Sequence, residues 1–139
     1  MSDLQITRIR VSNPIPRGRK TLLPFVQTLS IVKNRRMIGR LTWFAPDTDD
    51  GVIQILDIQI EPDYQRQNHG SALLRGAYEQ AFNLFKKLGI RPRRVWIAVE
   101  QKKHVQARAF LSRHGFHHVS SVKNVFRDQE SLIYLKAFD

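Results

Sequence analysis

The sequence of 139 residues contains no cysteine, which excludes disulfide bonds and zinc sites built on cysteine ligands. Long apolar runs are also missing: the longest near the N-terminus, 22–32, includes Pro24 and Gln27 and is too short to cross a bilayer. The first residues do not show the charged-then-apolar order of a secretory signal. We therefore expect a cytoplasmic protein with no membrane partner.

Acidic residues are scarce, because 12 Asp and Glu face 23 Lys and Arg, giving a formal net charge of +11. Such an excess attracts either nucleic acid or a small anionic ligand. The basic residues are scattered along the chain, without the regular aromatic interleaving of a base-stacking surface. Nucleic acid is therefore an alternative partner that this pattern does not favour.

Hydrophobic residues make up 42% of the chain and charged residues 25%, as in ordinary globular proteins, and the length suits one domain over 1–139. Apolar periodicity predicts the order β-β-β-β-α-β-α-β-β, which is an α/β fold with a mixed central sheet flanked by helices. The predicted strands cover 4–11, 25–33, 37–44, 52–60, 94–100, 116–122 and 131–138, and the helices cover about 70–88 and 103–114.

The strand Val52–Ile60 is apolar on both faces in its first half, so we expect helices above and below it. It ends at Glu61-Pro62, and a polar loop leads to a helical pattern that starts near Ser71. Such a junction directs backbone N–H groups and the positive end of the helix dipole at one point, which suits a phosphate or pyrophosphate. No Gly-Lys-Ser/Thr follows, which excludes the Walker phosphate loop.

The spacing within this loop resembles the acetyl-CoA-binding signature of the GNAT acetyltransferases, Gln/Arg-x-x-Gly-x-Gly/Ala. Gln65 occupies its first position, Gly70 its last, and Ile60-x-Pro62 the strand end before it. Asn68 stands where the family usually has its first glycine. Asparagine enters the left-handed region at modest cost, so the loop can still turn.

A second stretch, 104–116, resembles the family pattern Asn-x-x-Ala-x-x-x-Tyr-x-x-x-Gly-Phe. Ala107 and Gly115-Phe116 match, whereas His104 stands in the Asn position and Leu111 in the Tyr position. With the strands around them the two motifs cover 52–138. Residues 13–24 are too short and too rich in proline for the two helices that the family usually has there, so we expect reduced N-terminal helices and an open acceptor side.

The resemblance implies direct transfer of an acetyl group from acetyl-CoA to a primary amine in a ternary complex, with acetyl-CoA as donor substrate and no metal. The amine acceptor would be a small molecule, a peptide or a protein. The resemblance also places the donor's pantetheine arm on the central strand, its pyrophosphate on the loop, and His104 at the cofactor-facing end of the second helix. The implied donor-binding residues are Ile58, Gln59, Ile60, Gln65, Arg66, Gln67, Asn68, His69, Gly70, Ser71 and His104.

Asp57 is the predicted general base, because it is a carboxylate within an otherwise apolar strand and the family often uses an acidic residue there. Burial would raise the pKa of Asp57 toward a useful range. The alternative is a structural ion pair with an arginine such as Arg40. Glu61 and Glu100, near strand ends, are weaker candidates for the base.

The acid that protonates the departing thiolate lacks its usual residue, since Leu111 replaces the family's tyrosine. Ser112, His104 and Tyr78 are the replacements that the sequence offers. Helix geometry turns Ser112 about 100° away from Leu111, so His104 is the first candidate to test.

Two further expectations concern metals and alternative functions. His114, His117 and His118 do not have the spacing of a zinc site, so we expect no metal. A catalytically degenerate GNAT-fold module that binds coenzyme A, nucleic acid or a protein partner is the alternative function, which Asn68 and Leu111 favour. Exposed terminal strands would also allow a homodimer.

Overall fold

The computed structural model describes residues 7–11, 23–47, 49–65, 67–123 and 130–138. Within these ranges the order of elements is the predicted one. The predicted loop over 13–20, and with it the prediction of reduced N-terminal helices, lies outside the described residues. The strands are β1 (Thr7–Val11), β2 (Phe25–Lys33), β3 (Arg36–Ala45), β4 (Val52–Ile60), β5 (Arg94–Glu100), β6 (His117–Lys123) and β7 (Glu130–Ala137), and the helices are α1 (His69–Leu88) and α2 (His104–Arg113).

The seven described strands form one mixed sheet in the order β1-β2-β3-β4-β5-β7-β6. Every neighbouring pair is antiparallel except β4 and β5, which run parallel because α1 crosses over between them. The mixed α/β fold predicted from the sequence is therefore confirmed.

Both ends of α1 follow from local sequence. Asn68 precedes the helix with φ 64° and Gly89 ends it with φ 71°. The Gly89 and Ile90 N–H groups then donate to Lys86 and Phe85 carbonyls at 3.2 and 2.9 Å, which satisfies the last turn. The predicted glycine cap is confirmed, and the helix begins two residues before Ser71.

The core lies between the sheet and the two described helices. Alternate strand residues such as Leu41, Trp43, Ile53 and Val95 are fully buried, and α1 contributes its apolar stripe of Leu73, Leu74, Ala77, Ala81, Leu84 and Phe85 to the same cluster. The structure differs here from the expected burial of β4 on both faces. Only alternate residues of its first half are buried, and Leu56 is 48% exposed.

The relationship of β4 to its two neighbours places the candidate site. Against β3 a register shift leaves Leu56 without a partner, because Trp43 pairs with Ile55 and Thr42 with Asp57. Against β5 the pairing runs only from Val52–Arg94 to Ile55–Ile97. The remaining part of β4 stays with β3 while the end of β5 stays with β7, so the sheet opens between them.

Candidate active site

A cleft of about 550 Å³ opens where β4 and β5 separate. Its walls are β4 from Leu56 onward, the end of β5, the loop before α1 with the first turn of α1, and one side of α2. The cleft therefore joins the strand that was expected to hold the pantetheine arm to the helix start that was expected to hold phosphate.

Backbone groups of β4 point into this cleft. The Glu61 N–H donates to the Ile38 carbonyl of β3 at 2.9 Å. Because N–H groups of successive strand residues point to opposite edges, those of Ile58 and Ile60 point away from β3 and toward the cleft. No β5 residue pairs with this part of β4. These N–H groups are thus placed to bind an extended ligand or a carbonyl oxygen.

The start of α1 presents a second set of N–H groups. Asn68, exposed and in the left-handed conformation, turns the chain, and its carbonyl accepts from Ala72 at 3.1 Å. The N–H groups of His69, Gly70 and Ser71 have no acceptor within the helix. The first turn contains no acidic residue, so nothing opposes the positive end of the helix dipole there.

Gly70 is required by the close approach of α2. A β-carbon at this position would lie 2.8 Å from Cε1 of Phe110, whose ring lines the cleft. The absence of a side chain keeps the N–H groups of the first turn open to the cleft. This is the space that a phosphate group would need, and the residues present fit one.

The loop before α1 is tied to the end of β4. The Gln65 side chain donates from Nε2 to the Ile60 carbonyl at 3.1 Å and lines the cleft. Gln67 is exposed, lies outside the cleft lining, and donates to the Asp63 carbonyl at 3.5 Å. Arg66 lies outside the described residues. Gln65 therefore shapes the loop in addition to facing the cleft.

His69 lies half-buried at the first position of α1, with its ring 6.4 Å from that of Tyr64. Its Nε2 is buried without a hydrogen-bond partner. Burial, together with the ammonium of Lys33, lowers the pKa of His69. The ring is therefore neutral near pH 7 and can serve as a hydrogen-bond donor or acceptor at the cleft wall.

The expected base, Asp57, is paired rather than buried. Its carboxylate accepts from Arg40 Nε at 3.1 Å and from Gln59 Nε2 at 3.3 Å, and the side chain is 34% exposed. The ion pair with Arg40 that the sequence allowed is therefore present, and the role of Asp57 as general base stays a prediction. Asp57 nevertheless lines the cleft. Glu100 of β5 lines it as well, and its Oε2 lies 3.6 Å from Lys102 Nζ.

The family's tyrosine position is filled by the buried side chain of Leu111, which is 2% exposed. Ser112 is exposed and does not line the cleft. His104 begins α2, but its side chain lies outside what the structure describes. Tyr78 packs with Phe82 and Phe138 away from the cleft lining, and burial raises the pKa of its hydroxyl.

One wall of the cleft was not predicted as a binding surface. It consists of α2 residues spaced three or four apart, together with the residue that precedes the helix: Lys103, Gln106, Ala107, Phe110 and Arg113. The spacing puts them on one helix face, which is the signal that could have identified them. Of its two cations, Arg113 lies at the end of α2 that meets the start of α1, and Lys103 lies at the opposite end of α2.

The described residues contain neither a cluster of metal ligands nor a membrane-spanning helix. Among residues 7–11, 23–47, 49–65, 67–123 and 130–138, no group of three His, Asp or Glu side chains is placed to hold a metal ion. In the same part of the chain no helix is long and apolar enough to cross a membrane.

Solved structures similar to this chain share its fold at low sequence identity. A GNAT family acetyltransferase from Elizabethkingia anophelis with acetyl-CoA bound superposes with a TM-score of 0.67 at 17% identity, covering 94% of this chain and 98% of that one. The PaiA N-acetyltransferase of Thermoplasma acidophilum in complex with coenzyme A superposes with a TM-score of 0.61 at 18% identity, covering 81% of this chain and 61% of that one. The ribosomal-protein-S18-alanine N-acetyltransferase of Escherichia coli superposes with a TM-score of 0.59 at 20% identity, covering 79% of this chain and 67% of that one.

No curated protein matches this sequence significantly. The sequence profile of the Acetyltransferase (GNAT) family matches residues 11–116, which is most of the chain and includes both motifs and every residue that lines the cleft. Given the strand separation, the left-handed turn before α1 and this match, the chain belongs to the GNAT acetyltransferase family.

Proposed function

We propose that the protein is an N-acetyltransferase that moves an acetyl group from acetyl-CoA to a primary amine by direct transfer in a ternary complex. The observation that carries this proposal is the continuity of the cleft. The free strand edge of β4 at Ile58 and Ile60 leads directly to the open first turn of α1 at Gly70. An elongated ligand with a phosphate end and a thioester end fits that arrangement.

The phosphate end belongs at α1. The N–H groups of His69, Gly70 and Ser71 donate toward the cleft, and Arg113 adds positive charge from the end of α2. The acetyl-CoA thioester supplies an electrophilic acetyl carbon and a thiol leaving group. The backbone N–H groups of β4 bind along the pantetheine arm, and one of them donates to the acetyl oxygen, where negative charge develops.

The acceptor end belongs at the strands, where two carboxylates line the cleft. Asp57 on β4 and Glu100 on β5 are the acidic residues that line it, one on each side of the strand separation. Each carboxylate is paired with a cation outside the lining, Asp57 with Arg40 and Glu100 with Lys102. An acceptor that arrives as an ammonium ion competes with these cations for the carboxylates. Asp57 then accepts the ammonium proton, directly or through water, so that a neutral amine attacks.

The departing thiolate has no tyrosine beside it, because Leu111 occupies that position. A thiol has a pKa of about 8.5, so release without protonation at pH 7 costs about 2 kcal/mol. This cost slows the reaction by roughly 30-fold without preventing it. We keep His104, at the start of α2, as the proposed proton donor.

The test is a paired measurement of binding and turnover. Purified protein is titrated with acetyl-CoA by calorimetry, and then free thiol is followed during incubation with a panel of small amines, peptides with free N-termini and lysine-containing peptides. We expect binding together with amine-dependent thiol release. Absence of acetyl-CoA binding would overturn the proposal.

The second candidate function is a GNAT-fold module that binds coenzyme A or another partner without turnover. Two observations favour it, namely Leu111 at the proton-donor position and the pairing of Asp57 with Arg40. Binding of acetyl-CoA with no thiol release across the whole acceptor panel would support this candidate. The cytoplasmic location, the homodimer and the polyanion partner stay predictions. A polyanion partner would be identified by binding that weakens steeply as the ionic strength rises.

A further inference from the structure

A serine–histidine pair joins the two helices that flank the phosphate end of the cleft. The Ser71 hydroxyl and His114 Nε2 lie 2.8 Å apart. Ser71 is the third residue of α1 and lines the cleft, whereas His114 follows α2 and lies behind Ser71, outside the cleft lining. The ring of Phe110, which contacts Gly70, lies 4.6 Å from the His114 ring. His114 is thus one hydrogen bond away from the proposed phosphate position.

His114 is surrounded by cations from each element packed around it. Arg75 approaches from α1, Arg113 from α2 and Lys136 from β7, where the Lys136 ammonium also lies 5.4 Å from the Tyr78 ring. Burial lowers the pKa of His114 most, and the positive charges of Arg113, Lys136 and Arg75 lower it further. Without a bound anion the imidazole is therefore neutral near pH 7.

Binding of a phosphate changes what this pair can do. The Ser71 hydroxyl has one hydrogen, and once it donates to a phosphate oxygen it no longer donates to His114. A ring with a proton on Nε2 then donates to the Ser71 oxygen instead, and both the neutral Nε2–H tautomer and the protonated imidazole carry that proton. A nearby anion also offsets the repulsion from Arg75, Arg113 and Lys136, which favours the charged ring.

We propose that His114 is a positioning residue of the donor site that acts through Ser71. When the diphosphate of the donor binds at the start of α1, the His114 ring takes up one proton from solvent and fixes the Ser71 hydroxyl toward the phosphate. This inference rests on the proposed function, since it assumes that a coenzyme A donor binds there. Its consequence is that the donor binds more tightly as the pH falls.

The direction and limit of the effect follow from linkage. Protonation is easier in the complex than in the free protein, so affinity rises as pH falls through the range between the two protonation midpoints. Coupling to one proton changes Kd by at most tenfold per pH unit. Above this range both states carry a neutral ring, and the affinity no longer changes with pH.

The experiment is calorimetric titration of the full chain with 3′-dephospho-coenzyme A, because a phosphate monoester itself titrates near pH 6. Titrations between about pH 5.5 and about pH 8, each in two buffers of different ionisation enthalpy, count the protons taken up. For wild type we expect an uptake that approaches one proton near pH 6 and a Kd about tenfold lower at the acidic end.

Three variants assign the proton. His114→Gln keeps a polar side chain and is expected to abolish both the uptake and the gain in affinity at acidic pH. Ser71→Ala leaves His114 in place and is expected to weaken binding at every pH and to reduce the uptake. His118→Gln, on the exposed strand β6, is the matched control and is expected to retain it.

Each other outcome overturns a defined part of the proposal. Full uptake in His114→Gln, or its loss in His69→Gln alone, assigns the proton elsewhere and overturns the role of His114. Full uptake in Ser71→Ala overturns the action through Ser71. Tight binding that is independent of pH overturns this inference and leaves the proposed function intact, whereas no binding at any pH overturns both.

Discussion

Gly70 and Phe110 hold the two walls of the phosphate end of the cleft in contact, although 40 positions of sequence separate them. A β-carbon on residue 70 would meet the Phe110 ring at 2.8 Å from Cε1 and 3.3 Å from Cζ. The ring is partly buried against the core on one side and lines the cleft on the other. Any side chain at residue 70 therefore acts on the cleft through Phe110.

Gly70→Ala should weaken acetyl-CoA binding by about tenfold, because the added methyl group displaces the Phe110 ring into the space above the α1 N–H groups. Calorimetry at fixed pH measures the change. Phe110→Leu combined with Gly70→Ala is the matched control, since the smaller side chain makes room for the methyl group and should recover part of the affinity. An additive double variant would show that the two residues do not interact.

Leu111→Tyr should raise the turnover number near pH 7 if thiolate release limits the reaction. The upper bound is roughly 30-fold, which corresponds to the cost of about 2 kcal/mol for releasing an unprotonated thiolate. The gain should shrink near pH 9, where the free thiolate needs no proton. Thiol release with a saturating amine measures both rates.

Leu111→Phe is the control for packing, because Leu111 is buried and a larger ring costs about 1–3 kcal/mol of stability. It should lose the same stability as Leu111→Tyr without the rate gain. Equal turnover numbers for the Leu111→Tyr and Leu111→Phe variants would exclude a role for the added hydroxyl.

The sequence predicts those features that depend on neighbouring residues. The bounds of β4 follow from an unbroken apolar run ended by Pro62, and the left-handed turn at Asn68 follows from the family spacing and the backbone preference of asparagine. The start of α1 at His69, two residues early, is set by that turn, because apolar periodicity does not report where a helix begins.

Features that depend on strand pairing could not be predicted in the same way. Leu56 has no pairing partner on β3, and the pairing of β5 with β4 ends at Ile97. Both features depend on the register of three strands, which no local sequence pattern encodes. The choice between the two interpretations of Asp57 depended on the same register, since Arg40 lies 17 positions earlier on β3. The exposed second half of β4 likewise follows from the strand separation.

Asp57→Asn should lower kcat/KM for the best amine by about 10²-fold or more if Asp57 is the general base. Glu100→Gln is the matched comparison, because it removes the other carboxylate of the cleft, and it should cost less than tenfold. Steady-state kinetics with free amine concentration held constant gives both values. A larger loss in Glu100→Gln would transfer the role of base to β5.

Arg40→Gln tests the ion pair separately from catalysis. The pair is partly exposed, so its loss should change the free energy of unfolding by no more than about 1 kcal/mol. Urea denaturation measures this change. A loss of several kcal/mol would indicate that the pair is part of the folded core instead of the cleft surface.

Gln27 is the only fully buried polar side chain among the described residues, 1% exposed beneath α1. Its Nε2 donates to Gln80 Oε1 at 2.9 Å, but its own Oε1 has no partner.

Gln27→Leu removes this unpaired oxygen at similar volume, so its stability should lie within about 1 kcal/mol of wild type. Gln27→Ala leaves a cavity in place of the buried side chain and should cost about 2–3 kcal/mol. Urea denaturation of both variants distinguishes a tolerated polar residue from a required one, because an equal loss in both would make the Gln80 hydrogen bond essential.

The free energy of unfolding should fall as the pH is lowered from about 7 to about 5, through two histidines at the phosphate end of the cleft. Burial and Lys33 lower the pKa of His69, and burial and neighbouring cations lower the pKa of His114. Since each pKa is lower in the folded state than the unfolded value of about 6.5, the unfolded chain binds more protons over this range, and stability rises with pH. Replacement of either residue by glutamine should flatten the dependence, as measured by urea denaturation at several pH values without ligand. The same two residues make the acidic loss of stability reversible by a bound anion, because a phosphate at the start of α1 favours their charged forms. A pH dependence equally steep in His69→Gln, His114→Gln and wild type would place the acid-sensitive groups elsewhere in the chain.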